Sequence, residues 1–304
     1  MNTHRGELLN KIDQKYAAID QNPDVHLEGL IYANPITYWD YILPEALLSL
    51  QIQRSTCPDE MVFIMYHQIN ELLFKMILWE IDQVSNSDNV STSFFAEKLR
   101  RISRYFDLLS GSFNIMGDGM DVEQYRQFRN TLTPASGFQS ANYRLIEFAS
   151  TEPINLLDAR YRKQFDQLDD TEAVYEHLYW QAAGKDYHTG KKNTLLTNFE
   201  RKYKFMFLEK LKAYRSSNMW SKFKQLSVEE REDAVLVEAM RHYDYTVNIS
   251  WVMAHYHAAG KYLGEAEATG GSDWRKYMHP KYQRRVFFPD LWSSEELADW
   301  GMNC

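Results

Sequence analysis

Apolar residues recur at helical spacing along almost the whole chain. One segment, about residues 60–84, keeps five side chains near a single stripe: Ile64, Gln68, Leu72, Met76 and Trp79. Further helices are predicted over about 93–109, from about 122 onward, and over about 227–263, which is the longest. A short helix is predicted to carry Tyr38, Tyr41, Leu47 and Leu48. Eight prolines and 13 glycines interrupt the chain too rarely for a series of strands. The pattern therefore predicts an all-α fold.

Two helix starts carry capping signals. Thr56 is predicted to cap the helix over 60–84, with Asp59 three residues later and Pro58 in the tolerated first turn. Ser227 followed by Glu230 has the spacing of a capping box at the start of the longest helix. Both signals place apolar stripes directly after a helix N-terminus.

The chain is long enough for one large helical domain, and we predict a single domain over 1–304. Residues 1–35 are polar and weakly patterned, which predicts an N-terminal arm. Residues 150–225 are more polar than their surroundings and are predicted to form a helical insertion or lid. The paired glycines after Thr269 predict a loop, because glycine disfavours helix and permits backbone close to a ligand.

Charge and composition exclude several classes of partner. The net charge is -8, and no run of Lys and Arg could follow a phosphate backbone, so nucleic acid and anionic membranes are not expected partners. No stretch approaches the roughly 20 apolar residues of a membrane span. No apolar segment follows the N-terminus as in a secretory signal. Two cysteines, one of them terminal, favour a reducing cytoplasm.

The nine histidines form no zinc-type cluster, and there is no Cys-x-x-Cys-His, nucleophile elbow, P-loop or dinucleotide fingerprint. A single histidine as the axial ligand of a haem remains possible. His255 shares a helix face with Ala259 and Tyr262, and small residues lie beside it. Small residues would admit a flat macrocycle, but they would equally permit close packing of helices. The aromatic content, with 8 Trp and 20 Tyr, fits a stacking pocket or ordinary packing layers equally.

Four ordered blocks resemble the tryptophan 2,3-dioxygenase family. The blocks are YWDYILPEALLSLQ at 38–51; PDEMVFIMYHQ at 58–68; YRQFR at 125–129 with PASGFQS at 134–140; and Trp251-x-x-x-His255 with TGGS at 269–272 and FFPDLW at 287–292. The resemblance implies a haem-binding helical bundle that holds haem b. It also implies a homo-oligomer, expected to be a tetramer, with L-tryptophan or a related indole amino acid and dioxygen as ligands.

The resemblance assigns roles residue by residue. His255 matches the axial ligand of the haem iron. Arg129 matches the clamp for the amino-acid carboxylate, which suits the planar fork of a guanidinium. The remaining matched positions contact the substrate in the family: Tyr125, Phe128, Thr269, Tyr38, Tyr41 and Ile42. A neighbouring subunit contributes the last three, although core packing would explain them equally well.

One position departs from the family. The family reads HDEM where this chain has Pro58 followed by Asp-Glu-Met, so the distal histidine that can bond the indole N–H is absent. Arg54 and Cys57 are the candidates to fill that space, whereas His67 matches a separate family histidine with an expected structural role. Losing one buried hydrogen bond costs about 1–3 kcal/mol, enough to relax specificity without abolishing a haem site.

The expected function is haem-dependent oxidation of an indole ring. Insertion of both oxygens across C2=C3 would give an N-formylkynurenine-type product, and the intact carboxylate clamp favours this route. The alternatives are transfer of one oxygen to a tryptophan-like substrate in a biosynthetic pathway, and a haem or gas sensor on the same fold. A helical interaction protein without a cofactor is a third possibility.

Overall fold

The computed structural model describes residues 3–132, 139–165, 170–186, 189–263, 275 and 278–302. Within these residues the regular structure is helical, and only two isolated β-bridges occur. The all-α prediction is confirmed. None of the described helices is both long and apolar enough to cross a membrane.

The α-helices are numbered here in chain order. They are α1 (Thr3–Ala17), α2 (Pro23–Tyr32), α3 (Tyr38–Ile42), α4 (Pro44–Leu47), α5 (Asp59–Ser85), α6 (Thr92–Gly119), α7 (Val122–Arg129), α8 (Ala141–Ser150), α9 (Pro153–Leu156), α10 (Thr171–Glu176), α11 (Thr194–Tyr214), α12 (Met219–Gln225), α13 (Val228–Arg231), α14 (Ala234–Tyr245), α15 (Trp251–Leu263), α16 (Pro280–Gln283) and α17 (Ser294–Asp299). Short 3-10 helices span Asn130–Leu132, Arg162–Gln164, Tyr179–Gly184 and Pro289–Leu291, and a π-helix spans Thr246–Ser250.

Residues 1–51 form one compact unit, whose described part contains α1 to α4. The expected polar arm contains two helices, α1 and α2, which pack against each other. The short helix expected around Tyr38 is two helices, since Leu43 adopts a left-handed conformation with φ 55° between them. A left-handed residue of this kind ends a helix.

Residues 52–304 form the second unit, and α6 is its central helix. Six apolar residues of α6 recur at alternating spacings of three and four and are buried: Phe95, Leu99, Ile102, Phe106, Leu109 and Phe113. This stripe packs against α5, α14 and α15. Each buried side chain of this size contributes about 1.5–3 kcal/mol. The helix runs ten residues beyond the predicted end because the stripe continues to Met116.

The predicted Thr56 cap of α5 is wrong. Pro58 occupies the N-cap position and offers no side-chain hydrogen bond. Instead, the buried Glu60 carboxylate accepts from the backbone N–H groups of Arg54 and Ser55, 2.9 and 2.6 Å away. The carboxylate thereby holds the preceding loop against the first turn of the helix.

The predicted single helix over 227–263 is interrupted twice. The Ser227–Glu230 capping box is present, but α13 ends after one turn, and Asp233 caps a new helix by accepting from the N–H groups of Val235 and Leu236. The π-helix at 246–250 then separates α14 from α15. Insertions of this kind are frequent next to functional sites.

The stretch 150–225, expected to be an insertion or lid, is part of the main core. It supplies many buried side chains to the cluster that also contains the α6 stripe, among them Leu156, Tyr175, Trp180, Phe199, Phe207, Leu211, Trp220 and Phe223. Its polar residues lie on the outer faces of α10 and α11, which explains its polar average composition.

Candidate functional site

The site is built around His255 on α15. Its ring stacks on Phe113 of α6, with centroids 5.2 Å apart and planes inclined by 12°, and lies 5.9 Å from Trp251 one turn earlier. Desolvation by this aromatic surround lowers the pKa of His255 to about 4, and positive charge on His67 lowers the pKa further. The imidazole is therefore neutral at physiological pH, as a metal ligand must be.

A second, smaller hydrophobic cluster borders His255 and lies between α5, α6, α7 and α15. Its buried members are Tyr66, Phe113, Met116, Met120, Phe128 and Tyr262, and partly buried side chains pack against it, including Cys57, Phe63, Tyr125, Trp251, Ala254 and Ala258. Ring contacts connect these residues. The Phe113 and Tyr66 centroids are 6.0 Å apart, and Phe63 lies 5.5 Å from Phe128. We call this set of side chains the aromatic wall; it extends from His255 to α7.

Helix α7 positions Tyr125, Phe128 and Arg129 at the other end of the aromatic wall. Asp121 caps α7 and donates its own N–H to Asp59 of α5, 2.6 Å away. Phe128 is fully buried. Burial raises the pKa of Tyr125, and the positive charge of Arg129 opposes this shift. The phenol and the guanidinium thus lie close to each other on one helix face.

The residues at the start of α5 differ in their surroundings. Pro58 is exposed, and so is the side chain of Arg54, whose backbone N–H bonds Glu60. Cys57 is half-buried against the aromatic wall, and its Sγ donates to Gln127 Oε1 at 3.6 Å. Of the two candidates to fill the space at position 58, Cys57 is the one that packs with the cluster.

The roles of the other predicted substrate contacts stay predictions. Tyr38, Tyr41 and Ile42 lie in the N-terminal unit and are 70%, 75% and 45% exposed. Thr269 lies outside the described residues.

Sequence reasoning missed the connection between α14 and residues 287–292. The buried Asp244 carboxylate accepts from the backbone N–H groups of Phe287 and Phe288, at 2.8 and 3.0 Å, and from the Trp292 indole at 3.0 Å. This explains the FFPDLW block at 287–292, which holds the C-terminal part of the chain against α14. The FFPDLW segment could be recognised in the sequence, but nothing in the sequence indicates that it binds Asp244.

The described residues fit a haem held by one imidazole. His255 is neutral, aromatic rings surround it, and the small side chains of Ala254 and Ala258 lie on the same helix. The buried indole N–H of Trp251 has no hydrogen-bond partner among the described residues. Within the same residues, no group of three or more His, Cys, Asp or Glu could hold a metal ion alone. An axial ligand to a flat cofactor matches this donor set.

Comparison with known proteins gives one consistent result. A family model described as tryptophan 2,3-dioxygenase matches residues 29–249, a range that contains Pro58, His67 and Arg129 and ends before His255. A tryptophan 2,3-dioxygenase of Polaromonas sp. strain JS666 is 29% identical over 275 residues, which cover 86% of this chain and 88% of the relative.

Two other relatives carry the same name. The protein of Bacillus thuringiensis subsp. konkukian is 27% identical over 270 residues, covering 85% of this chain and 91% of its own length. The protein of Ruegeria sp. strain TM1040 is 37% identical over 128 residues, covering 42% of this chain and 46% of its own length.

Proposed function

Because the chain belongs to the tryptophan 2,3-dioxygenase family, whose members are haem-dependent dioxygenases, we propose that it binds haem b through His255 and oxidises an indole ring with dioxygen. The proposed substrate is L-tryptophan or a modified tryptophan, cleaved at C2=C3 to an N-formylkynurenine-type product. The observation that supports this proposal is the aromatic wall, which extends from the neutral His255 to the helix that carries Arg129.

The haem would supply the oxygen chemistry, and the protein supplies position and polarity. Arg129 would bind the substrate carboxylate through two parallel hydrogen bonds, with Tyr125 beside it and Thr269 at the ammonium end. Phe63 would stack on the indole, and the buried Phe128 behind it would exclude water. Holding the ring in one orientation is itself a large catalytic contribution.

A second candidate reaction is transfer of a single oxygen atom to a tryptophan-like substrate. Pro58 favours it, because a proline at this position has no side-chain donor or acceptor with which to steer protons. Both reactions share the same clamp and cofactor, and they differ in the number of oxygen atoms found in the product.

The proposed assembly is a homo-oligomer, a tetramer by the family resemblance. Its support in this chain is the exposure of large apolar side chains that a monomer would leave in water: Tyr38, Trp39, Tyr41 and Leu48 in the N-terminal unit, and Leu72, Met76 and Trp79 on α5. Tyr38, Tyr41 and Ile42 would then complete the pocket of a neighbouring subunit.

Product mass after reaction with labelled dioxygen tests the proposal. We expect the purified, haem-loaded protein to convert L-tryptophan to a product that contains two label atoms. Incorporation of one label atom would establish the monooxygenase instead. If tryptophan and its analogues fail to shift the Soret band, a sensor is favoured and both oxygenases are rejected.

Cofactor binding has its own test. A His255→Ala variant should bind haem weakly and lose the Soret spectrum of the wild type, while His242→Ala, at an exposed position on α14, should retain it. Equal haem spectra in both variants would contradict the assignment of His255.

A further inference from the structure

Helix α7, which carries Tyr125 and Arg129, is too short to hold its position by itself. It has eight residues, and isolated helices shorter than about 12–15 residues are marginal in water. Its location therefore depends on the turn that joins it to α6 and on the helices packed against it, α5 and α15.

On the α5 side, Asp59 holds the start of α7 through two hydrogen bonds. Its carboxylate accepts from the Asp121 N–H at 2.6 Å, and its own N–H donates to Gln124 Oε1 at 3.1 Å. These bonds fix α7 relative to α5. They do not connect α7 to α15, the helix that carries His255.

On the α15 side, Tyr262 contacts both α7 and the end of α6. Its ring centroid lies 4.8 Å from that of Tyr125, with planes inclined by 51°. Its hydroxyl donates to the Met116 carbonyl, and the Met120 carbonyl oxygen lies 3.3 Å away. The last four carbonyls of a helix lack a partner within that helix, and Met116 is one of these residues in α6. Tyr262 therefore caps the end of α6 from which the chain turns into α7.

Tyr262 shares a helix face with the proposed iron ligand. It follows His255 by seven residues, which is two helical turns or about 10 Å along α15. The side chain of Tyr262 is 5% exposed, so its contacts are shielded from water. An ion pair between Lys261 and Asp118 joins the same elements, but both side chains are exposed and such pairs contribute little. Tyr262 is thus a buried connection between the cofactor helix and the clamp helix.

We propose that Tyr262 is a positioning residue that fixes α7, and with it the carboxylate clamp, relative to the helix of His255. The proposal rests on the proposed function. A substrate whose carboxylate is bound by Arg129 while its ring lies at the cofactor depends on the separation of these two helices. Tyr262 would act through Tyr125 and Arg129, without contacting the substrate.

The variant Tyr262→Phe tests this role because it keeps the ring contact with Tyr125 and removes only the hydroxyl. The haem-loaded variant should have a KM for L-tryptophan about 3- to 10-fold higher than wild type, the effect of one hydrogen bond. Its kcat should stay within about twofold, since the clamp binds a part of the substrate that does not react. The Soret spectrum without substrate should be unchanged.

Tyr66→Phe is the matched control. Tyr66 is also buried in the aromatic wall, and its hydroxyl bonds the Ser112 side chain within α6 rather than the end of that helix. Removing this hydroxyl should lower the urea midpoint about as much as Tyr262→Phe does and should leave KM at the wild-type value. Loss of stability alone would therefore not reproduce the expected increase in KM.

A double variant tests whether Tyr262 acts through the clamp. In an Arg129→Lys background, Tyr262→Phe should raise KM by less than about twofold, because residues that act as a unit have non-additive effects. A full further increase in this background would overturn the positioning role, and so would equal KM values for Tyr262→Phe and Tyr66→Phe; both results leave the proposed function intact. If the wild type neither binds nor converts L-tryptophan, the proposed function fails, and the role of Tyr262 with it.

Discussion

Arg126 and Arg129 lie three residues apart on α7 but have different surroundings. Arg126 is exposed, whereas Arg129 is half-buried one turn from Tyr125. The positive charge of Arg129 lowers the pKa of Tyr125, against the effect of burial. Residues four apart share a helix face, so Arg129 and Tyr125 project together. Only one of the two arginines can therefore serve as a clamp beside the aromatic wall.

Arg129→Lys should raise the KM for L-tryptophan by about 10- to 100-fold, since a lysine keeps the charge but loses the second parallel hydrogen bond. Steady-state kinetics of the haem-loaded protein would measure this. Arg126→Lys, the control on the same helix, should change KM less than about twofold because an exposed side chain contributes little. Equal effects of the two changes would contradict the clamp.

At the scale of the helices, the Asp244 side chain connects α14 to two other segments of the chain. Burial raises the pKa of this carboxyl to about 6, and hydrogen bonds from Phe287, Phe288 and Trp292 oppose the shift. Asn248, in the π-helix that follows, donates to the same carboxylate at 2.7 Å. A single carboxyl thus fixes the end of α14, the π-helix and the chain over 287–292 relative to each other.

Replacing Asp244 with Ala should lower the free energy of unfolding by at least about 3 kcal/mol, because several buried donors would lose their acceptor. Urea denaturation at pH 7 would measure the loss. Asp299→Ala removes an exposed carboxylate on α17 and should change stability by less than about 0.5 kcal/mol. A loss in Asp244→Ala no larger than in this control would show that the connection is unimportant.

At the scale of the whole molecule, α5 has two apolar faces. One is buried against α6 and α8 through residues such as Leu73 and Ile77, while the second carries Leu72 (46% exposed) and Trp79 (70% exposed). Spacings of four and three between Ile69, Leu72, Met76 and Trp79 are those of a helix that pairs with another helix. A second copy of the chain is the expected partner of this face.

Leu72→Glu should shift the protein toward smaller assemblies, because it places a charge in an apolar contact. Light scattering after size-exclusion chromatography would report the mass. Phe205→Glu, at an isolated exposed position on α11, is the control and should leave the mass unchanged. An unchanged mass for Leu72→Glu would remove this face from the assembly.

Acid stability should depend on Glu176, which joins α10 to α11 and the preceding loop. Its carboxylate contacts Lys185, Lys192 and Lys204 at 3.2, 2.8 and 3.0 Å. Burial alone would raise its pKa, but these ammonium groups lower the pKa from 4.5 to about 2. The carboxylate therefore stabilises the fold above pH 4.5, and this contribution is lost as pH falls toward 2.

Glu176→Gln should accordingly lower the urea midpoint more at pH 6 than at pH 3. Glu209→Gln, an exposed carboxylate on α11, should show a smaller difference between the two pH values. If Glu176→Gln costs the same at both pH values, the lowered pKa of Glu176 is not a source of stability.

The sequence by itself determined what depends on neighbouring residues. The helical class, the extent of α5, the start of α7 and the Ser227 capping box all follow from periodicity and capping chemistry over a few residues. The blocks of family residues likewise placed His255 beside Trp251 and Arg129 beside Tyr125. These inferences held because helix formation and helix faces are local properties.

Tertiary structure decided what depends on residues far apart in the chain. The Asp244 carboxylate binds the backbone N–H groups of Phe287 and Phe288, which lie 43 and 44 residues further along the chain. The polar composition of 150–225 indicated a peripheral insertion, yet its apolar residues belong to the core. Burial and long-range hydrogen bonds are set by contacts between residues far apart in the chain, which periodicity along one helix does not encode.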